Sequence, residues 1–406
     1  MVGSGKTAIA QTLAELYSIS GRSAIFGGSF FFPKEGKSDR EHANTLFTTI
    51  AYQLALSVPG LREYVNRVMI LEPTLPTKEI GVQFTKLIIE PFQRLGPLPC
   101  IPFVIIDGLN ECHLHDFQKR IISLIAEGLA LSRVQLRFII TSRPEPHIRD
   151  TFDLAHIKPI TRTVALETFN ADYDIRLYLR DRFKAIAEGR RGDLPQNWPE
   201  EADIDNLVKK ASGQFIYSAV VLDFVGAEHE FPDERLQDVL QPATGALECY
   251  SPIDQLYIQI LRTSQNPDIL AGIFSLLLVL HCPQPPEVYD ELLGHRRGRV
   301  RMALKPLHSI IRVPHPTEDQ HERRKFERRA EYDQTRGLRL HPASFRDFLL
   351  DESRCPSKFH VNLKVAHATL AKSGFNLMLK WISSPWRYAF PPYDNFFVIQ
   401  IRCPQS

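Results

Sequence analysis

Five residues near the start of the chain, Gly3-Ser-Gly-Lys-Thr7, combine two glycines, a cation and a hydroxyl in the order that closes a phosphate-binding loop, G-x-x-x-x-G-K-[ST]. The chemistry this pattern serves is containment of several negative charges where no bulky side chain fits. Glycines let the backbone of Gly3, Ser4 and Gly5 turn its N–H groups toward phosphate oxygens, and the helix that follows adds the partial positive charge of its N-terminus. Lys6 would reach the terminal phosphates and Thr7 would offer its hydroxyl to Mg²⁺. The full pattern puts its first glycine five positions before Gly5, one position before Met1. The expectation is therefore a fragment whose feeding strand lies upstream, or a chain that has lost its own nucleotide site.

A second element of phosphoryl chemistry lies about a hundred residues on. Phe103-Val-Ile-Ile106 reads as a buried strand ending at Asp107, where a carboxylate can hold Mg²⁺ against phosphates. Glu111 is spaced to orient or deprotonate an attacking water. Arg143 ends the next apolar run, and its guanidinium would sense a terminal phosphate from the same crevice. Each has a plainer reading: Asp107 as a turn carboxylate after a core strand, Arg143 as a solvated loop cation. The pairing with Gly3–Thr7 favours the chemical one. His113-Leu-His115 suggests a metal pair, but no third or fourth ligand has suitable spacing, so a solvated loop is the preferred reading there.

The elements that must position these groups alternate. A helix over 6–19 follows the loop, then a strand over 23–32, helices over 45–56 and 80–92, the strand 103–106, a helix over 117–131, a strand over 136–141 and a last strand over 161–166. Short apolar strands alternating with helices predict a parallel α/β sheet. From Ala171 the pattern becomes helical, over 173–186, 204–212, 215–225, 251–262, 269–281, 288–293 and 300–311. A short strand, Leu338–Leu340, then leads into a helix over 341–349. Helices, a strand and a helix suit a winged-helix module. No fixed-period repeat is visible.

Composition narrows the class. The 406 residues carry 49 Lys/Arg against 47 Asp/Glu, so the whole-chain field attracts neither nucleic acid nor membrane. Six scattered cysteines without a C-x-x-C pair read as free thiols in a reducing, cytoplasmic compartment. The most apolar run, Ile269–Leu280, is shorter than the roughly 20 residues that span a bilayer.

Taken together, GSGKTAIAQTLAE, LFTTIAYQLA, FVIIDGLNEC, LRFIITSRPEPHI, ASGQFIYSAVVLDFV and LHPASFRDFLLDESR resemble the NACHT class of signal-transducing P-loop NTPases (the STAND class). Among these they are most similar to the fungal NACHT proteins with a nephrocystin-like N-terminal module. The resemblance runs in order from the start of the chain to about His367. It implies a P-loop NTPase parallel sheet lacking its first strand (residues 1–168), a small all-α domain (169–248), a winged-helix-like domain (249–352) and a helical or irregular tail (353–406). It assigns the loop to Gly3, Ser4, Gly5, Lys6 and Thr7, Mg²⁺ ligation to Thr7 and Asp107, the catalytic acid to Glu111 and the sensing arginine to Arg143. Gly213, in the stretch to Phe215, would lie near the base, and His341 would contact the phosphates of bound diphosphate. The implied ligands are ATP or ADP, with GTP possible, and Mg²⁺. The implied activity is a nucleotide-dependent signalling switch whose exchange couples to opening and self-association, with slow hydrolysis if the loop is completed upstream.

Two departures qualify that picture. Asn110 stands where most relatives carry a second acidic residue beside the glutamate, which points to weak hydrolysis. Relatives continue into repeat domains, whereas Trp381–Ser406 reads as an unrelated tail. One rival is a degenerate, non-hydrolysing scaffold of the same fold that binds only proteins. Another is a nucleic-acid-binding winged-helix protein, since residues 295–339 hold thirteen Lys/Arg against six Asp/Glu. The interspersed acids favour a solvated insert, so nucleic acid and membrane are not expected partners.

Overall fold

The computed structural model describes residues 3–382 apart from 19–24, 34–38, 113, 133, 191–193, 196, 229, 242–249, 265, 281 and 315–336. Most of the basic insert, His113 and the tail beyond 382 therefore lie outside the described residues. The chain divides into two compact units, residues 3–169 and 170–406.

The first unit is mixed α/β. Its described elements begin with α1 (Lys6–Ser18), β1 (Phe26–Phe31), α2 (Asp39–Ser57), α3 (Leu61–Leu71), α4 (Ile80–Phe84) and α5 (Glu90–Arg94). They continue with β2 (Phe103–Asp107), α6 (His115–Ser132), β3 (Arg137–Ile140) and α7 (Pro146–Phe152). The three strands form a parallel sheet in the order β1-β2-β3, with Phe30 opposite Ile106 and Ile106 opposite Ile140. A central parallel strand is covered on both faces and reads as a continuous apolar run; Val104, Ile105 and Ile106 are fully buried. Leu46, Phe47, Ile50 and Leu54 of α2, and Ile121, Ile122 and Ile125 of α6, belong to the buried set of this unit.

The outer edge of β1 is served by a side chain. Gln53 of α2 accepts from Ser29 N at 2.8 Å and donates to Ser29 O at 2.9 Å, giving the backbone the pair of bonds a neighbouring strand would supply. A Cβ on Gly28, whose φ is +145°, would stand 2.6 Å from the Gln53 carbonyl oxygen. Glycine there is what lets the helix come this close.

Between α4 and α5 the helix opens into a π-turn, Thr85–Ile89. Pro91 follows in the first turn of α5. A proline inside a continuous helix lacks a donor and crowds the carbonyl four residues back, and a wider turn accommodates both. The single helix expected over 80–92 is thus three joined pieces.

The strand expected over 161–166 does not form. Thr161–Ala165 has no regular structure, and Leu166–Thr168 is a short 3₁₀ turn. Ile160 and Val164 are exposed at 53% and 58%. An apolar run becomes a strand only against a ladder partner, and among the described residues β3 pairs with β2 alone.

The second unit is helical: α8 (Asp172–Gly189), α9 (Glu201–Ala211), α10 (Phe215–Val225), α11 (Pro232–Leu240), α12 (Pro252–Arg262), α13 (Pro267–Val279), α14 (Pro286–Leu292) and α15 (Arg299–Leu304), then α16 (Ala343–Leu350) and α17 (Leu363–Ile382). Between α15 and α16 lies an antiparallel ribbon of β4 (Ile311–Arg312) and β5 (Arg339–Leu340). Its core includes Tyr257, Phe274, Phe345 and Phe348, whose rings meet at centroid distances of 5.1–5.9 Å. The Tyr257 hydroxyl is 2.7 Å from Ser344 Oγ, so this buried phenol keeps a partner. Asp254 is 4% exposed and is met by both Arg354 Nη2 (2.7 Å) and Nε (3.2 Å). No helix among the described residues is long and apolar enough to cross a membrane.

Candidate functional site

The site in the first unit is built from three chain segments. In the first, Gly3 and Gly5 adopt φ of 76° and 84°, a left-handed conformation that costs other residues about 1–2 kcal/mol each. That turn delivers the chain directly into α1: Lys6 is its first residue, and Ile9 N donates to Gly5 O at 2.9 Å. Lys6 Nζ donates to Ser4 Oγ at 3.2 Å. Lys6 and Thr7 are both half-buried.

The second segment is the end of β2. Asp107 is 3% exposed and accepts a hydrogen bond from the Thr141 hydroxyl. Gly108, with φ 73°, then turns the chain into the 3₁₀ turn Leu109–Glu111. The third segment follows β3. Thr141 N donates to Ile106 O at 2.9 Å, Leu109 N donates to Thr141 O at 3.1 Å and Gly108 N donates to Thr141 Oγ1 at 3.1 Å. These bonds stitch the two strand ends together. Asn110 extends the seam: its Oδ1 accepts from Arg143 N at 2.9 Å and its Nδ2 donates to Glu111 Oε1 at 3.1 Å.

Electrostatics tie the first segment to the other two. The Lys6 ammonium is held below its ordinary value of 10.5, first by burial and then by the nearby Arg143 cation; Glu167, Asp107 and Glu111 act in the opposite direction. Asp107, Glu111, Arg143 and Glu167, widely separated from it in sequence, thus each lie within electrostatic reach of Lys6. Two cations, a helix N-terminus and hydroxyls beside the buried Asp107 carboxylate are a donor set that fits a polyphosphate with a hard divalent cation. Left-handed glycines let the backbone turn its N–H groups toward such an anion.

Three contributors escaped the sequence reading. Glu167 sits in the 3₁₀ turn formed where a strand was expected, and no local signal marks it. Thr141 was legible only as the last residue of a strand. Asn110 was read as a missing carboxylate, whereas its amide makes bonds in two directions that no carboxylate could make, since Nδ2 is a donor.

The other two expected site residues belong to the second unit. Gly213, φ 76°, follows Ser212, φ 49°, in the left-handed turn between α9 and α10. His341 follows β5 and is exposed; its N–H donates to Ile310 O at 2.9 Å. Within this unit His341 lies near Asp223 of α10. Desolvation holds the Asp223 carboxyl above its ordinary value, against the pull of His341, Arg182 and His308. His308 Nε2 is 2.8 Å from Asp223 O.

No curated protein matches the chain. A family model described as Nephrocystin 3, N-terminal, matches residues 1–143. The matched third of the chain is therefore similar to that N-terminal module, and it carries Lys6, Asp107, Glu111, Asn110 and Arg143.

Proposed function

We propose that this chain is the nucleotide-binding part of a NACHT-type signalling switch, a P-loop NTPase fold that holds a nucleoside di- or triphosphate with Mg²⁺. The observation that carries this reading is the seam that joins Asp107, Glu111 and Arg143 through Thr141 and Asn110, together with the left-handed glycine turn that opens α1 at Lys6. Lys6 and Arg143 would meet the phosphate charge, the Gly3–Gly5 backbone would donate to the phosphate oxygens, and Thr7 and Asp107 would hold the cation. Mg²⁺ supplies charge neutralisation when bound. The resemblance extends the reading to His341, at the start of a winged-helix-like segment, as the group that registers diphosphate. A ligand shifts such an equilibrium only by its differential affinity for the two states.

Nucleotide retained by the purified chain, compared with Lys6→Ala and His341→Ala, tests the proposal. Loss in Lys6→Ala supports binding at this site, and loss of diphosphate alone in His341→Ala supports the switch. Equal retention in all three chains, or none in any, removes it.

One observation favours a second reading, a binding scaffold with little turnover. One oxygen of Glu111 is already engaged by Asn110 Nδ2, which leaves less capacity to orient water. Retention without hydrolysis would select it.

A further inference from the structure

We propose a divalent transition-metal site of the zinc class at His115, Glu145 and His147, on the surface where α6 and α7 begin. The sequence offered His115 no ligand at suitable spacing beyond His113, which lies outside the described residues. The fold supplies two from another segment. One ligand atom each from His115, Glu145 and His147 lies within 4.8 Å of the others. The two imidazole rings stack at 4.1 Å with 22° between their planes. Glu145 Oε2 is 3.7 Å from His147 Nε2.

A second oxygen faces the same nitrogen. Gln118, one turn along α6 from His115 and 1% exposed, places Oε1 against His147 Nε2. Its amide nitrogen donates to Cys112 O, which fixes which end of the amide points to the histidine. His147 Nε2 is thus faced by two oxygen acceptors, a carboxylate and an amide, while it carries at most one proton. Surplus lone pairs gathered around one point are what a cation satisfies.

Two imidazoles and one carboxylate suit Zn²⁺, which takes nitrogen and oxygen ligands at about 2.0–2.2 Å with tetrahedral geometry. Mg²⁺ prefers an all-oxygen shell, so this donor set is chemically distinct from the one around Asp107. Ligand atoms of a tetrahedral ion stand roughly 3.3 Å apart, as those bond lengths require. Drawing in a cluster whose ligand atoms lie within 4.8 Å of one another asks for small rotations of the exposed His115 ring and the Glu145 side chain. A water completes the shell.

Such an ion would clamp the segment after β3 to the start of α6. Glu145 is two residues past Arg143, and Arg143 N is already bonded to Asn110. The clamp therefore acts beside the sensing arginine without touching nucleotide, and it stands whether or not the nucleotide reading does.

The test uses the full chain without an affinity histidine tag, stripped with chelator and titrated calorimetrically with ZnCl₂. CoCl₂ in a parallel titration reports tetrahedral coordination by its visible absorption. His115→Ala is at an exposed position; Glu145→Gln is the second variant, and Lys6→Ala is the control. One zinc per chain is expected, weakened at least about tenfold in either site variant, since even outer partners of metal ligands are worth that much. Lys6→Ala should bind as the unaltered chain does. Absence of zinc binding, or affinity in His115→Ala and Glu145→Gln equal to that of the unaltered chain, overturns the proposal and leaves a stacked histidine pair held by hydrogen bonds.

Discussion

The Thr141 hydroxyl donates to the Asp107 carboxylate, so the ends of two neighbouring strands are locked by a side chain as well as by the ladder. The same oxygen accepts from Gly108 N at 3.1 Å. Thr141→Val keeps the shape and removes the hydroxyl, leaving a nearly buried carboxylate and a backbone N–H short of a partner. We expect a loss of about 1–3 kcal/mol, read from urea unfolding. If Asp107 holds Mg²⁺, the variant also needs more Mg²⁺ for nucleotide retention, because the carboxylate is no longer oriented.

Lys6 gives a pH dependence. Its folded-state value lies below 10.5, chiefly through burial. At neutral pH the ammonium is charged in both folded and unfolded chains, and the burial cost is fully present. As pH rises through the folded value toward 10.5, the folded protein releases its proton first, the unfolded chain binds more protons, and stability rises. Lys6→Met should therefore be more stable than the unaltered chain at pH 7, with the difference shrinking as pH approaches 10.5. Thermal melts of both proteins across that range check it. The same substitution should abolish nucleotide retention, so the residue would be costly to the fold and necessary to the site.

Asn110→Asp separates the roles of Asn110. The carboxylate can still accept from Arg143 N, but it cannot donate to Glu111 Oε1 as the amide does at 3.1 Å, and it places a second negative charge beside the first. Stability should fall by about 1 kcal/mol. Hydrolysis should rise, because Glu111 gains freedom to orient water and a second carboxylate joins it. Phosphate release by the two proteins measures the change; an unaltered rate would show that the amide does not restrain Glu111.

Gly108→Ala tests the turn that presents Glu111. With φ at 73°, an alanine there should cost about 1–2 kcal/mol. Its Cβ would also meet Glu111 Cγ at 3.2 Å, displacing the side chain. Stability and any turnover should fall together.

In the second unit, Asp254 and Arg354 form a two-bonded pair whose carboxylate is almost wholly buried. Ser251 Oγ donates to the same carboxylate at 2.7 Å. Arg354→Met strands the buried charge, and a loss of about 3–5 kcal/mol is expected. Asp254→Asn with Arg354→Met should recover much of it, because no uncompensated charge remains. Chemical denaturation of the single and double variants gives the comparison.

The sequence alone determined what depends on neighbours within a few residues. The glycine turn into α1, the continuous apolar strand ending at Asp107, the strand ending before Ser142-Arg143 and the helix over 215–225 all follow from backbone freedom and apolar periodicity. Tertiary structure decided the rest. Residues 161–165 have the composition of a strand but no partner within the described residues, and a ladder cannot be made by one segment. Glu167, Asn110 and Thr141 became members of the site because two strand ends and a 3₁₀ turn come together in space. His115 gained Glu145 and His147 in the same way. Spacing along the chain carries no record of such meetings, because a side chain's partners across the fold are set by which surfaces pack, and packing is chosen by the whole core at once.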